Sequence, residues 1–412
     1  MYIAAERRTS ICALDDFMLV RPLGATAGGY VMERNGRLSD KFNLLIERSS
    51  LSGTLKLPPS KSHSMRWLTL ASMDPEPTKI GMWEVGEDVQ ALIDCLIKLG
   101  LEWDGSIFKG GELRPPNGIL DCKNSGTALR FLIGQSATCG FPITLDGDSS
   151  LRTRSSLQLL ESLDFVKEQG NEYPIHIKGP FSKPVVEIDV SNTSQFYSSL
   201  LLMAPRTKGF EILAKGSAVS RKHSELTWDL CKITGAQVPG KPWIVNCPDV
   251  EIPPDASMMA FAKLSGLMTS NQPDLSDSIG HSLDKNMLRD SNDLITPMAA
   301  WLALGEGGTI SGASHAALKE SNRITKTVEM LSQFGIISIP NKDGIKIEGG
   351  QKPSKPKELV RTFGDHRIQM TAVILASICG GCVEGANLHE VAWPSYLQQL
   401  EECGLKYEMV QP

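Results

Sequence analysis

A chain of 412 residues, 41% hydrophobic and 22% charged, is long enough for two ordinary cores and has a normal globular composition. Its formal net charge of -5 excludes a general nucleic-acid binder, which would be basic, yet leaves room for a locally basic pocket that takes anions. No apolar run reaches the roughly 18 residues needed to span a membrane. Nine scattered cysteines without a framework point to free thiols in a reducing, cytoplasmic compartment.

In chain order, residues 1–39 come first. With Glu6, Asp15 and Asp16 and no clean apolar centre, they fit neither a signal nor a transit peptide. They read as a disordered N-terminal extension, with Met32 as a possible start shortly before the first convincing strand, "GTLKLPP". From there short strands alternate with helices of about 10–15 residues, the pattern of an α/β protein. Strand-like runs are "FPITLDG", "KPVVEIDV", "FEILAKG", "GTISGA" and "IISIPNKDGIKIEGG". Helix-like runs include "EDVQALIDCLIKLG" and "TKTVEMLSQFG", each closed by a glycine. The order helix, glycine, strand-turn-strand recurs in "CLIKLGLEWDGSIFKG", "CKITGAQVPGKPWIVN" and "MLSQFGIISIPNKDGIKIEGG", which predicts repeated supersecondary units. "PDVEIPPDAS", rich in Pro and Asp, is the best candidate for a crossover between domains. The CxxC pair Cys379 and Cys382 reads as a helix end, a Gly-Gly turn and a strand start.

Five segments share one design, a short polar stretch directly before a helix. They are "SKSHSMR", "NSGTALR", "SNTSQF", "KESNRI" and "GDHRI". Each offers an N-cap residue, and four carry Lys or Arg within about a turn. A helix start exposes unpaired N–H groups and a partial positive charge, so it is a ready anion site, and Arg or Lys adds full charge and forked hydrogen bonds. Any one segment is explained by ordinary capping; five together point to phosphate or carboxylate recognition. The Walker A loop, HExxH, a zinc-like cysteine cluster and GxGxxG after a strand are all missing, so nothing demands a metal or a nucleotide. Acid–base candidates near these segments are Lys61, Asp293, Glu320, Asp365 and His366; Asp365 also sits where an N-cap belongs.

The ordered set "LPPSKSHSMR", "NSGTALR", "GDSSLRTR", "TSQF", "KESNRI" and "GDHRIQM" resembles the family of 5-enolpyruvylshikimate-3-phosphate synthase, the enolpyruvyl transferase of the shikimate pathway. The resemblance covers roughly residues 51–400. It implies a two-lobed, inside-out α/β barrel of repeated βαβαββ units, with one lobe at 61–250 and the other at 40–60 plus 251–412. It also implies transfer of the enolpyruvyl group of phosphoenolpyruvate to the 5-hydroxyl of shikimate 3-phosphate, with phosphate released. The two small molecules are then the only partners, and a monomer without cofactor, metal, nucleic acid or membrane is expected.

The residue roles follow from the same resemblance. Lys61, Asp293 and Glu320 are the implied catalytic groups. Shikimate 3-phosphate would be held by Lys61, Ser62, Arg66, Thr193, Ser194, Gln195, Ser220, Asp293 and Lys319. Phosphoenolpyruvate would be held by Lys61, Gly126, Arg154, Gln195, Arg323 and Arg367. Four features depart from the family pattern. Asn322 replaces an aspartate in "KESNR", His223 stands in for a tyrosine, and the unit between Asp255 and Asp293 is shortened. Val391 takes the place of a phosphoenolpyruvate-binding lysine, with His389 as a possible substitute cation. The competing readings are an enolpyruvyl transferase acting on a UDP-sugar and a non-catalytic phosphometabolite-binding paralogue.

Overall fold

The structure is a computed structural model that describes residues 42–165, 172–273 and 288–412, together with strands Met18–Val20 and Tyr30–Met32. Those two strands pair antiparallel, with Met18 opposite Met32. They are the described part of the segment expected to be disordered; the remainder of that expectation lies outside the described residues. So does much of the shortened unit between Asp255 and Asp293.

Eleven helices follow among the described residues: α1 Lys61–Ala71, α2 Glu87–Lys98, α3 Gly126–Ala137, α4 Leu157–Ser162, α5 Gln195–Met203, α6 Arg221–Ile233, α7 Met259–Ser265, α8 Ile295–Leu304, α9 Arg323–Gln333, α10 His366–Cys379 and α11 Tyr396–Glu402. All five polar segments lie at helix starts, those of α1, α3, α5, α9 and α10. The glycines that close α2, α6 and α9 hold positive φ, at 92° for Gly100, 114° for Gly235 and 74° for Gly335, a geometry that costs other residues more.

Helices α3, α8 and α10 are apolar on almost every face, and such helices belong inside. α3 buries eleven of its twelve residues and α10 twelve of its fourteen. The strands lie around them in small sheets with one face in and one out, as the alternating burial of Ile175–Lys178 and Val185–Asp189 shows. This is the α/β, helix-inside arrangement that the resemblance implied.

Two hydrophobic cores result. One is built from residues between Met65 and Ile252, the other from Leu44–Leu57 together with residues between Met258 and Leu405. Each is flanked by three small sheets. In the first, Thr78–Gly81 lies between Ile107–Lys109 and Val250–Glu251, Pro142–Asp146 lies between Leu120–Asp121 and Ile175–Lys178, and Val185–Asp189 runs parallel to Glu211–Lys215. In the second, Thr54–Leu55 pairs with Met268–Thr269, Gly344–Glu348 with Gly307–Ile310 and Ser338–Asn341, and Asn43–Ile46 with Gly381–Val383 and Tyr407–Val410.

Among the described residues the chain passes between the cores twice, and the passages run side by side. Pro59 bridges Pro254, Ser60 N–H donates to the Pro253 carbonyl at 2.8 Å, and Asp255 N–H donates to the Pro58 carbonyl at 2.8 Å. Four prolines fix φ in these two short segments and stiffen the crossing.

The expected strands in "FPITLDG", "KPVVEIDV", "FEILAKG", "GTISGA" and "IISIPNKDGIKIEGG" are all present. Two expectations need correction. Residues 236–249 hold no strand, because Pro239, Pro242 and Pro248 remove the donors a ladder needs. The first strand of the second core is Asn43–Ile46, ahead of "GTLKLPP", which supplies only the two-residue strand Thr54–Leu55. The CxxC pair is a helix end and a strand start, and the eight described cysteines are free. Among the described residues no helix is long and apolar enough to cross a membrane.

Because α3 is buried on every face, truncation there leaves a void that little can fill. Phe131, 1% exposed, is expected to cost about 3–5 kcal/mol on replacement by alanine, measured by urea unfolding followed by circular dichroism.

Candidate active site

A cavity of about 790 Å³ opens where the two cores meet, and its walls carry the starts of α1, α3, α5 and α9. Seven cationic side chains line it against four carboxylates, so a protein of net charge -5 presents a locally positive site. All fourteen residues to which the resemblance gave a role stand on its walls.

Arg323 organises the second core's side. It is 1% exposed and meets three carboxylates: Nη1 to Asp293 Oδ1 at 2.7 Å, Nη2 to Glu320 Oε2 at 2.5 Å, and Nε to Asp365 Oδ2 at 2.8 Å. Arg367 donates to the Asp293 carbonyl at 3.1 Å and to Ser257 Oγ at 2.9 Å. Burial acts to raise the carboxyl of Asp293, but Arg367, Lys319 and Arg323 outweigh it and hold the group well below the usual range. Glu320 is likewise held well below its ordinary value, burial being outweighed by Arg323 and Arg154. Both are therefore ionised at neutral pH. Burial pulls the Lys319 ammonium down despite Asp293 and Glu320.

The first core supplies the facing wall. Arg66 is 2% exposed and is held by Thr227 Oγ1 at 2.6 Å, the Ser62 carbonyl at 2.8 Å and the His223 carbonyl at 3.0 Å; burial lowers its guanidinium to about 9. Arg154 donates to the carbonyl and side chain of Asn124, at 2.5 and 2.7 Å, and reaches across the cleft to within 3.8 Å of Glu320. Gln195 accepts from Arg130 at 2.5 Å and donates to Thr127 at 3.0 Å. The buried Nε atoms of Arg130 and Arg154 have no hydrogen-bond partner among the described residues, a deficit an anion can meet.

Lys61, the first residue of α1, places Nζ 3.0 Å from Asp88 Oδ2. Ser60 makes no side-chain cap, and the α1 start is instead met by Asp255, which accepts the Lys61 N–H at 3.2 Å. Ser220, in a left-handed conformation at φ 50°, is fixed from the other core: its N–H donates to the Arg289 carbonyl at 2.9 Å, and its Oγ lies 3.1 Å from Asn292 Nδ2 and 3.3 Å from His315 Nε2.

Two other acid–base candidates, Asp365 and His366, fall outside the walls. Asp365 is the side-chain N-cap of α10, accepts the Arg367 N–H at 3.0 Å and is 0% exposed, so its work is to hold Arg323. His366 is buried beside Lys61, Glu320 and Arg367, and burial together with Lys61, Arg367 and Arg323 outweighs Glu320 and drives it far below its ordinary value, so it is neutral. Asn322, the departure in "KESNR", lines the cavity and caps α9 by accepting from Thr325 N–H at 3.2 Å. His223 also lines the wall. Val391 does not line the cavity: it is 5% exposed, in a short helical turn over Leu388–Val391. The expectation that His389 substitutes for a lysine there also fails, because it is 3% exposed, packs on Tyr396 and is lowered by burial to about 4. Motif reasoning missed Asp88, Thr127, Arg130 and His315; Thr127 and Arg130 were within "NSGTALR" itself, one residue and one helical turn beyond Gly126.

Comparison with known proteins identifies the family. The family profile described as EPSP synthase (3-phosphoshikimate 1-carboxyvinyltransferase) matches residues 46–272 and 273–400. The chain belongs to the EPSP synthase family. A 3-phosphoshikimate 1-carboxyvinyltransferase from Methanocorpusculum labreanum is 29% identical over 88% of this chain and 99% of its own length. One from Methanothermobacter thermautotrophicus is 26% identical over 89% of this chain and 100% of its own. The solved EPSP synthase of Acinetobacter baumannii superposes with a TM-score of 0.70 at 20% identity, covering 90% of this chain and 100% of that one, which supports the fold. The enolpyruvyl transferase NikO of Streptomyces tendae has the same fold, with a TM-score of 0.69 at 12% identity, 90% of this chain and 99% of that one being covered.

Two tests follow. A methyl at Gly126 would lie 2.9 Å from Arg130 Nη1 and 3.4 Å from Arg154 Nη1, so Gly126→Ala is expected to displace a guanidinium and weaken binding of a small anion several-fold, read by calorimetry. Val391→Lys is expected to lower the thermal midpoint, because it buries an unpaired ammonium, and not to tighten anion binding.

Proposed function

We propose that this chain transfers the enolpyruvyl group of phosphoenolpyruvate to the 5-hydroxyl of shikimate 3-phosphate, releasing inorganic phosphate. The observation that carries the reading is the convergence of helix starts and seven cationic side chains from both cores on one cavity, where two small polyanions can be held side by side. Family membership names the chemistry. The free cysteines are in keeping with a reducing, cytoplasmic compartment. The two hydrophobic cores define the lobes, and the paired passages at Pro59 and Pro254 are their hinge.

In this reading Ser62, Arg66, Thr193, Ser194, Gln195, Ser220 and Lys319 hold shikimate 3-phosphate, while Gly126, Arg154, Arg323 and Arg367 hold phosphoenolpyruvate and Lys61 meets both. Asp293, ionised by the cations around it, accepts the 5-hydroxyl proton as that oxygen attacks C2 of the enolpyruvyl group. The methylene carbon takes a proton to become a methyl, giving a tetrahedral intermediate. Loss of a methyl proton then breaks the C2–O bond to phosphate and restores the double bond. In the free protein Glu320 is ionised, so Lys61, whose ammonium is raised because Asp88 and Glu320 outweigh its burial, is the ready donor. An arriving phosphate and carboxylate draw Arg323 and Arg154 away from Glu320, lift its carboxyl toward ordinary values and let it share the proton transfer.

Phosphate release from phosphoenolpyruvate should require shikimate 3-phosphate; equal release without it, or release driven instead by a UDP-sugar, would overturn the reading. Asp293→Asn and Glu320→Gln should each lower kcat by about two decades or more. Saturating shikimate 3-phosphate should reduce the radius of gyration in solution scattering as the two cores close.

A further inference from the structure

Asp88 belongs to none of the motifs that carried the sequence reading, yet it stands on the cavity wall on the first turn of α2. Its carboxylate is 8% exposed, and its Oδ2 lies 3.0 Å from Lys61 Nζ, whose side chain is 19% exposed. No other hydrogen bond holds that ammonium among the described residues.

The two residues are anchored independently. The Lys61 backbone is fixed at the α1 start by Asp255, whose Oδ2 accepts its N–H at 3.2 Å. The start of α2 is pressed on the second core: a methyl built at its N-cap, Gly86, would lie 2.8 Å from the Val391 carbonyl and 3.2 Å from Ala392 Cα. Glu84, just before it, accepts the Ser395 N–H at 3.0 Å. Asp88 is thus a placed acceptor. A lysine is a point charge on a flexible stem, and without a fixed partner its ammonium samples many positions.

The groups that face Lys61 are Asp88 from α2, Asp293 and Glu320 from the segments ahead of α8 and α9, and His366 and Arg367 from α10. Burial favours the neutral amine and Arg367 acts the same way, whereas Asp88 is the foremost carboxylate favouring the ammonium. Asp293 and Glu320 are themselves engaged by Arg323.

We propose that Asp88 is a positioning residue for the reaction: it aims the Lys61 ammonium into the cavity and keeps it charged. The inference rests on the assignment of Lys61 to the substrates made above. Asp88 itself exchanges no proton with substrate.

Asp88→Asn preserves shape and removes the charge. The loss of a facing carboxylate lets the Lys61 ammonium deprotonate at lower pH. The alkaline limb of the kcat/KM profile for phosphoenolpyruvate should therefore move down by about one pH unit. On the plateau below that limb, where Lys61 stays charged, kcat/KM should fall about ten-fold because the ammonium is no longer aimed into the cavity. Asp88→Glu should recover part of both. In a Lys61→Ala background, adding Asp88→Asn should change kcat/KM by less than two-fold, because Asp88 acts only through Lys61. An unshifted alkaline limb in Asp88→Asn, or an equal loss with and without Lys61, would overturn the proposal. A lower thermal midpoint with an unshifted limb would also count against it, because a purely structural role predicts that result. If Lys61→Ala alone keeps wild-type turnover, the assignment of Lys61 falls first and this inference falls with it.

Discussion

The site depends on one buried guanidinium. Arg323 is almost wholly removed from water and would be costly there alone, but it is matched by Asp293, Glu320 and Asp365 at once. The carboxylates pull its guanidinium even further toward the charged form, against the effect of burial. In return it helps hold Asp293 and Glu320 ionised in a pocket whose low polarity would otherwise neutralise them. Two cavity carboxylates thus share one cation, and anything that competes for that cation changes their state.

The second constraint is the pair of crossings between the cores. Two passages between the cores run together at Pro59 and Pro254, and Asp255 sits at their junction. Its Oδ2 meets the α1 start at Lys61, while its Oδ1 accepts the N–H and Oγ–H of Ser257, whose hydroxyl in turn accepts from Arg367. A cation of each core is thus referenced to one side chain. On the opposite side of the cavity, Ser220 is held by Arg289, Asn292 and His315, and Arg221 pairs with Asp290 at 2.8 Å. The relative placement of the cores therefore sets where Lys61, Arg367 and Ser220 stand on the cavity wall.

Val391 and His389 illustrate what a motif comparison leaves out. Alignment alone makes a valine in a lysine's place look like a lost charge in the pocket. In this chain that stretch is packed under Trp393 and Tyr396, and it serves the contact between the second core and the start of α2. The carbonyl of Val391, not its side chain, is what lies near the functional elements.

The sequence by itself determined the helix starts, the closing glycines, most strands and the set of polar residues that would matter. These are local properties: capping, left-handed turns and hydrophobic period are written within a few neighbouring residues. It overreached at 236–249, where three prolines outvoted a strand-like rhythm, and it passed over Asn43–Ile46, whose pairing partners lie more than three hundred residues away. Only the tertiary structure decided that Asp88 meets Lys61, that Asp365 serves Arg323 rather than the reaction, that Ser220 is held from the opposite core and that Val391 is interior. Each of those facts is a distance between segments remote in sequence, and with it a local dielectric and a balance of charge. No spacing along one chain encodes those quantities without the fold that brings the segments together.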